Sequence, residues 1–470
     1  MHTLAMDRHL WELGSFRDKS SRVFYRDGQV YRALSPRALE NWQLLSAMSF
    51  FKRAVAEERV IGTCRASKAI LPESFRGWWA GVLQHDKIPF ISYPYEWSFQ
   101  MLRDAALLQL ELLEAALADN MILKDASAYN IQWRGTRPVF IDIPSFVPWS
   151  GGQSWTGYRQ FCQFFLYPLM LQAYRNTSFQ PWLRGSIDGI SAEECRRLVS
   201  RYFYKPGVLT DVIVHSLFQR GYAGTPRRIH DDLRQAGFRK ELILANVRRL
   251  TKIVKNISWK TEASTWSSYT DICSYSSEDY QAKLAFVERF AARKRRRLVW
   301  DLGANTGDFS RAASAHAQAV VAVDGDARVV DTLYQALRSE GPSNILPLVM
   351  NLADPSTGLG WLGRERKAFS DRDRPDLILC LALVHHLTIT ANIPMDEWIH
   401  WLSEFGAELV IEFVHPADPM AQQLLRNKEG DHQDYNKEVF ESILTQYFRI
   451  VDRLELSGGN RILYACEVKP

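Results

Sequence analysis

Two hydrophobic rhythms divide the chain. From position 298 onward, short apolar runs recur: LVWDLG (298–303), AVVAVDG (319–325), NILPLVMN (344–351), DLILCLALVHH (376–386) and AELVIEFV (407–414). Runs this short and continuous, separated by helical periodicity, predict parallel strands covered on both faces by crossover helices. Two last runs, YFRIVDRLEL and RILYACEV, flank Ser457-Gly458-Gly459-Asn460 and predict a closing antiparallel hairpin. The expectation is a seven-stranded, Rossmann-like, doubly wound α/β sheet.

The first half has a different rhythm. RVFYRDGQVYRAL (22–34) alternates on either side of Asp27-Gly28 and predicts a hairpin. Positions 36–60 predict one helix, capped by Ser35 with Pro36 in its first turn. KIPFISYPYEW (87–97) predicts a strand and a turn, and 98–120 a helix of about five turns. From 158 to 256 the pattern is mainly helical, with breaks at 181–185, 206–207 and 221–226. Polar, small and aromatic residues then replace the periodicity at 258–277. The predicted organisation is an N-terminal α+β domain (1–257), a linker (258–277) and a C-terminal sheet domain (278–470). No internal repeat is evident.

Composition narrows the class without choosing a function. The 470 residues are 46% hydrophobic and 24% charged, which is ordinary globular material. Lys and Arg (58) exceed Asp and Glu (53) by 5, too little over this length to argue for nucleic acid or a membrane. Six scattered cysteines without a CxxC pair argue against a zinc module or a disulfide framework and fit a reducing cytoplasm. Asp7, Arg8 and Glu12 interrupt any N-terminal apolar segment. The apolar stretch between Arg159 and Arg175 is shorter than the roughly 20 residues of a membrane span. A soluble, cytoplasmic protein is expected.

The chemistry gathers after the first run of the second half. LVWDLGANTGDF places Asp301, Gly303 and Gly307 on a strand-to-helix turn, where missing side chains let backbone approach a bulky ligand. Asp324 ends the next run, where a carboxylate can accept both hydroxyls of a ribose. The pattern is DxGxxxG rather than GxGxxG, so a nicotinamide dinucleotide is the weaker ligand. Val384-His385-His386-Leu387 ends the fourth run, and a neutral imidazole there can take a proton from an acceptor hydroxyl or amine. Equally, one histidine can pack against the ligand while the other caps the next segment. Glu412, His415 and Tyr435 are further candidates for this rim.

At these residues the chain resembles class I S-adenosylmethionine-dependent methyltransferases. The resemblance implies that Asp301, Gly303, Ala304 and Gly307 surround the methionine part of the cofactor and that Asp324 holds the ribose. Asn351 and Leu352 stand where adenine is contacted, although the family often has Asp in place of Asn351. YPYEWSF, LKDASAYNIQ, FIDIPSF, ILPLVMNLADPS and ALVHHL extend the likeness over most of the chain to the bacterial nodulation-type (NoeA-like) methyltransferases.

The first half carries a second constellation. Asp125, Asn130 and Asp142 in LKDASAYNIQWRGTRPVFIDIPSF resemble the catalytic loop and metal-binding acid of kinase-like phosphotransferases. There, Asp125 would be the base, with Asn130 and Asp142 holding magnesium at ATP. Lys124 replaces the usual Arg, Ile143-Pro144 follows Asp142 where Phe-Gly is usual, and Arg32 stands where a lysine belongs. No glycine-rich phosphate loop precedes them. A polar loop whose Asp and Asn bond local backbone is the plainer account.

The remaining features have ordinary explanations. The basic stretch 227–260 predicts a solvated helical face before an RNA or glycan grip, and KRRR at 294–297 predicts a surface position. The tryptophans predict packing before base or sugar stacking. The sequence therefore leads to a methyltransferase whose acceptor is a small molecule or glycan before protein or RNA. The alternatives are a bifunctional protein with a phosphotransferase half, or a non-catalytic protein that binds S-adenosylmethionine or a nucleotide.

Overall fold

The structure is a computed structural model and describes residues 11–217, 239–260, 276–426, 428 and 434–469. The predicted linker lies outside these residues from 261 to 275, and the predicted break at 221–226 lies outside them entirely. No described helix is long and apolar enough to cross a membrane.

The first half opens with β1 (Ser21–Arg26) and β2 (Gln29–Leu34), paired antiparallel as the predicted hairpin. Asp27 and Gly28, at φ +51° and +72°, make the two-residue turn that matches strand twist. Next come α1 (Pro36–Ala47), α2 (Ser49–Ala56), β3 (Thr63–Ala66) and β4 (Gly81–His85), and the four strands pair in the order β1-β2-β4-β3. The single helix predicted over 36–60 is broken at Met48, which is extended (ψ 140°). The cause is remote: Asp119 accepts the Ser49 hydroxyl and the Phe50 N–H, so a residue 70 positions away starts the second helix.

The strand predicted over 87–97 is absent. The strand is β4, just before it, and the segment itself is irregular up to a turn at Pro94–Glu96. Its hydrogen bonds go to a side chain, because the Gln132 amide accepts from Ser92 N–H at 3.0 Å and donates to Ser92 C=O at 2.9 Å. A glutamine thus takes the place of a neighbouring strand.

Helix α3 (Phe99–Ala118), capped by Ser98, is the buried axis of this half. Around it lie β5 (Met121–Leu123), β6 (Ile131–Arg134), β7 (Arg137–Phe140) and β8 (Phe146–Pro148). Then follow α4 (Tyr158–Phe161), a wide turn Cys162–Leu166, α5 (Tyr167–Arg175), α6 (Gln180–Gly185), α7 (Ala192–Val199) and α8 (Lys240–Asn256). The break predicted at 181–185 is instead helix α6, since Pro181 sits in its first turn and needs no N–H there. The basic face of α8 is partly used internally. Arg248 pairs with Glu114 and Arg249 with Asp211, while Val247, Leu250 and Val254 are buried.

The second half runs α9 (Ser277–Ala291), β9 (Arg296–Leu302), α10 (Asp308–Ser314), β10 (Ala317–Asp324), α11 (Ala327–Glu340), β11 (Ile345–Val349) and β12 (Leu377–Cys380). It ends with α12 (Met395–Ser403), β13 (Glu408–Val414), α13 (Pro419–Arg426), α14 (Lys437–Tyr447), β14 (Phe448–Glu455) and β15 (Arg461–Val468). The seven strands order as β11-β10-β9-β12-β13-β15-β14. The first five are parallel, and β14 and β15 form the predicted antiparallel hairpin, in which β15 alone runs against the rest of the sheet. Of the predicted surface run 294–297, Arg296 is buried, donating to the carbonyls of Phe290 and Ala291 and pairing with Glu408.

One crossover departs from expectation. Between β11 and β12 there is no helix longer than a single turn, only turns at Trp361–Gly363 and Phe369–Asp371. This strap crosses one sheet face together with the first half. Trp300, fully buried in the central strand β9, packs on Phe369 of the strap (4.3 Å between ring centres), Phe405 (4.9 Å) and Phe90 (6.2 Å). One hydrophobic cluster therefore runs from Leu34 through α3 to Trp300, Val321 and Ile411. The opposite sheet face (Val299, Val320, Leu379) packs on Phe286 and Val287 of α9. A buried ion pair joins the halves: Arg372 donates to both oxygens of Glu96 at 2.7 and 2.8 Å, both side chains about 1% exposed.

Candidate active site at the carboxyl edge of the sheet

Strand β9 delivers Asp301 to the carboxyl edge, and the chain turns at Gly303 (φ +83°) and Gly307 (φ +82°) before α10. Both glycines occupy the left-handed region that side chains avoid, but their surroundings differ. A Cβ on Gly303 would meet only ordinary contacts, Leu383 at 3.6 Å and the Leu381 carbonyl at 3.8 Å. One on Gly307 would lie 2.6 Å from Leu333 of α11. Gly307 thus lets two helices approach, while Gly303 keeps a cradle open between the ends of β9 and β12.

Asp324 closes the second side. Its two oxygens accept the N–H groups of Asn305 (3.0 Å) and Asp326 (2.9 Å), which fixes the half-buried carboxylate beside the glycine loop. Each oxygen retains a lone pair, so the group fits a ribose diol. Burial raises its pKa, with those N–H donors opposing. Asp301 is different: it is fully buried and receives the Ser310 hydroxyl at 2.5 Å. Burial, with Asp324 and Asp308 adding, pushes its carboxyl up to about 7 against Ser310's opposing effect. It ties the loop to α10 from below. Ala304 is buried behind the loop. Asn351 is exposed and turns its oxygen to the Ala353 N–H, and Leu352 leans on the core. The Asn351 Cα lies 3.8 Å from where a Gly325 Cβ would be, so the ends of β10 and β11 adjoin.

The structure separates the two histidines. His385 is wholly buried, and neither ring nitrogen has a hydrogen-bond partner among the described residues. Burial, with His386, Arg461 and Lys283 adding, holds it neutral. His386, stacked on it at 4.1 Å, is half-buried, and its pKa is depressed to about 4 by burial and then by Arg461. Both rings are therefore neutral near pH 7, with His386 on the outer side.

Three rim candidates have other roles. Glu412 lies inside β13, fully buried, pairing with Lys283 (2.9 Å) and Arg461 (3.5 Å) and accepting the Ala382 N–H (2.8 Å). Strand alternation turned it inward, where only compensating cations make a carboxylate tolerable. His415 shapes a turn, accepting the Ala417 N–H. Tyr435 is buried against Phe413 and donates to the Val414 carbonyl at 2.6 Å, so it anchors a strand end and is no lid. Lys283 and Arg461 escaped sequence reasoning, since each is an isolated cation far from its partner in the chain.

The first-half constellation also assembles in part. Asp142 is paired with Arg32 at 2.9 Å and receives the Ser145 hydroxyl at 2.6 Å. That hydroxyl lies 3.5 Å from Asp125, whose pKa is raised by burial, Asp142 and Asp18, with Lys124 opposing. Asn130 joins through its backbone, accepting the Ile141 N–H. Among the described residues no group of three or more His, Cys, Asp or Glu side chains is set to hold a metal ion.

A sheet wound 3-2-1-4-5-7-6, with a glycine turn after its first strand and a carboxylate ending its second, defines the class I S-adenosylmethionine-dependent methyltransferase fold. Among known proteins, the chain is 34% identical over 459 residues to nodulation protein NoeA of Rhizobium meliloti (strain 1021), spanning 97% of this chain and 95% of that one. It belongs to the NoeA family. Among solved structures, the N-methyltransferase NodS of Bradyrhizobium japonicum WM9 aligns at 17% identity over 41% of this chain and 98% of its own, with TM-score 0.31. The PH0226 protein of Pyrococcus horikoshii OT3 aligns at 17% identity over 44% and 97%, with TM-score 0.32. No family model matches the chain.

Proposed function

We propose that the chain transfers a methyl group from S-adenosylmethionine to an acceptor that is a small molecule or a glycan. The observation that carries this reading is the pairing of an open turn at Gly303 with a carboxylate, Asp324, fixed by Asn305 and Asp326. When bound, the cofactor supplies a methyl on a sulfonium, an electrophile that needs little beyond alignment with its acceptor.

The chain's own residues supply that alignment. Asp324 holds the ribose, the Gly303–Ala304 backbone lines the methionine part, and Asn351 and Leu352 border the adenine. His386, neutral near pH 7, takes the proton the acceptor gives up, and His385 backs its ring. Residues 278–470 carry this site and residues 1–257 select the acceptor.

Calorimetric titration of the full chain with S-adenosylmethionine, beside Asp324→Ala, tests the reading. Saturable binding that the variant weakens at least about 100-fold supports it, in line with losing charge-assisted bonds to two hydroxyls. A folded wild type that binds no S-adenosylmethionine overturns it.

A further inference from the structure

The methyl-transfer chemistry leaves a cavity in the first half unused. It encloses about 700 Å³ between the edge of β2 and β4, the first turns of α1 and the segment running into β8. Trp42, Val147 and Pro148 give it apolar walls, with Leu83 and Phe146 packed behind them. The charged side chains lining it are Lys19, Arg37 and Lys124, with no carboxylate among them.

Several arginines of this half are neutralised, Arg59 by Glu57, Arg134 by Asp86 and Arg137 by Glu58, but the cations of this cavity face it without a carboxylate in its lining. Among the described residues Lys19 and Arg37 have no ion-pair partner. Lys124 interacts with Asp18 and Asp125, neither of which lines the cavity. Helix α1, 12 residues long and capped by Ser35, starts at the cavity wall and adds the positive end of its dipole. Three cations around a partly apolar pocket concentrate an anion that also has a body to bury.

We propose that this cavity binds a small phosphorylated molecule with a sugar or nucleoside body. Lys19, Arg37 and Lys124 hold the phosphate, and Trp42, Val147 and Pro148 cover the ring. The volume matches a sugar phosphate or nucleotide, whereas a nucleic-acid strand needs an extended basic track.

The test titrates the full chain with ADP, glucose 6-phosphate and adenosine, in the wild type, Arg37→Gln/Lys124→Gln and Asp324→Ala. At least one phosphate is expected to bind with Kd below about 1 mM. The double variant should weaken it at least about tenfold, the loss of charge-assisted contacts, with an unchanged unfolding midpoint. Asp324→Ala should bind it as wild type does, which separates this cavity from the methyltransferase site. If the double variant unfolds early, Arg37→Gln alone, at an exposed position, gives the reading. Four outcomes overturn the proposal: no binding of either phosphate, binding indifferent to the lining cations, adenosine binding as tightly as ADP, or an oligoribonucleotide binding where small phosphates do not.

Discussion

The Ala382 N–H donates to the Glu412 carboxylate at 2.8 Å, and Ala382 sits at φ +49°, a conformation that costs a non-glycine residue roughly 1–2 kcal/mol. The same carboxylate holds Lys283 of α9 and Arg461 of β15. One buried group thus supports the strained turn that sets Leu381 and Leu383 beside Gly303 and leads to His385. Burial alone would raise its pKa, but the two cations keep it below the ordinary range.

Replacing Glu412 with Gln should remove the buried carboxylate that Lys283 and Arg461 share, leaving Asp418 as the acid beside Arg461. A stability loss of about 3–5 kcal/mol is expected, the cost of breaking a buried pair from one side. Urea denaturation measures it, and a change under about 1 kcal/mol would mean that the charges are not mutually dependent.

The junction between the halves should depend similarly on Arg372. Arg372→Met strands Glu96 and should cost about 3–5 kcal/mol, whereas Glu96→Gln/Arg372→Met should recover a large part of it. A single unfolding transition is expected in each variant, because the hydrophobic cluster spans both halves. Two separated transitions would contradict that continuity.

Asp301 makes stability fall as pH rises. Its pKa, 3.8 ordinarily and about 7 here, means that the folded state keeps a proton the unfolded state loses between those values. Asp301→Asn keeps an acceptor for Ser310 and removes the titration. The variant's stability relative to wild type should therefore increase from pH 4 to 7 and then level off, as denaturation midpoints across pH would record. A constant difference would place the Asp301 carboxyl at its ordinary pKa.

His386 acts in the opposite sense. Its pKa of about 4, against 6.5 ordinarily, makes the fold lose stability as pH falls from 6.5 toward 4, because the unfolded chain takes up the proton first. Followed by NMR, the His386 ring should show no titration near 6.5. A midpoint there would place it in water and remove the physical basis for a neutral base at this site.

Much of the sheet was legible in the sequence. Each of its seven strands follows an apolar run, and DLGANTG and Asp324 announced the turn and the acid through local rules of backbone and spacing. The strap between β11 and β12 was not legible, since its helix is replaced by packing against Phe90 and Glu96, some 280 positions earlier in the chain. The broken helix at Met48 and the missing strand at 87–97 have the same origin, with Asp119 and Gln132 taking over backbone groups that local pattern assigned elsewhere.

The sequence by itself determined strand order class, glycine turns and the residues available for chemistry, because periodicity and φ preferences act within a few neighbouring residues. Only the tertiary structure decided which of those residues are buried, which are paired and which stay open at the sheet edge. Burial and distant charges turned Glu412 and Tyr435 into supports, sank Asp301 beneath the loop and set His386 outside His385. Such outcomes depend on which groups meet across hundreds of residues, and a side chain's charge state follows from those meetings.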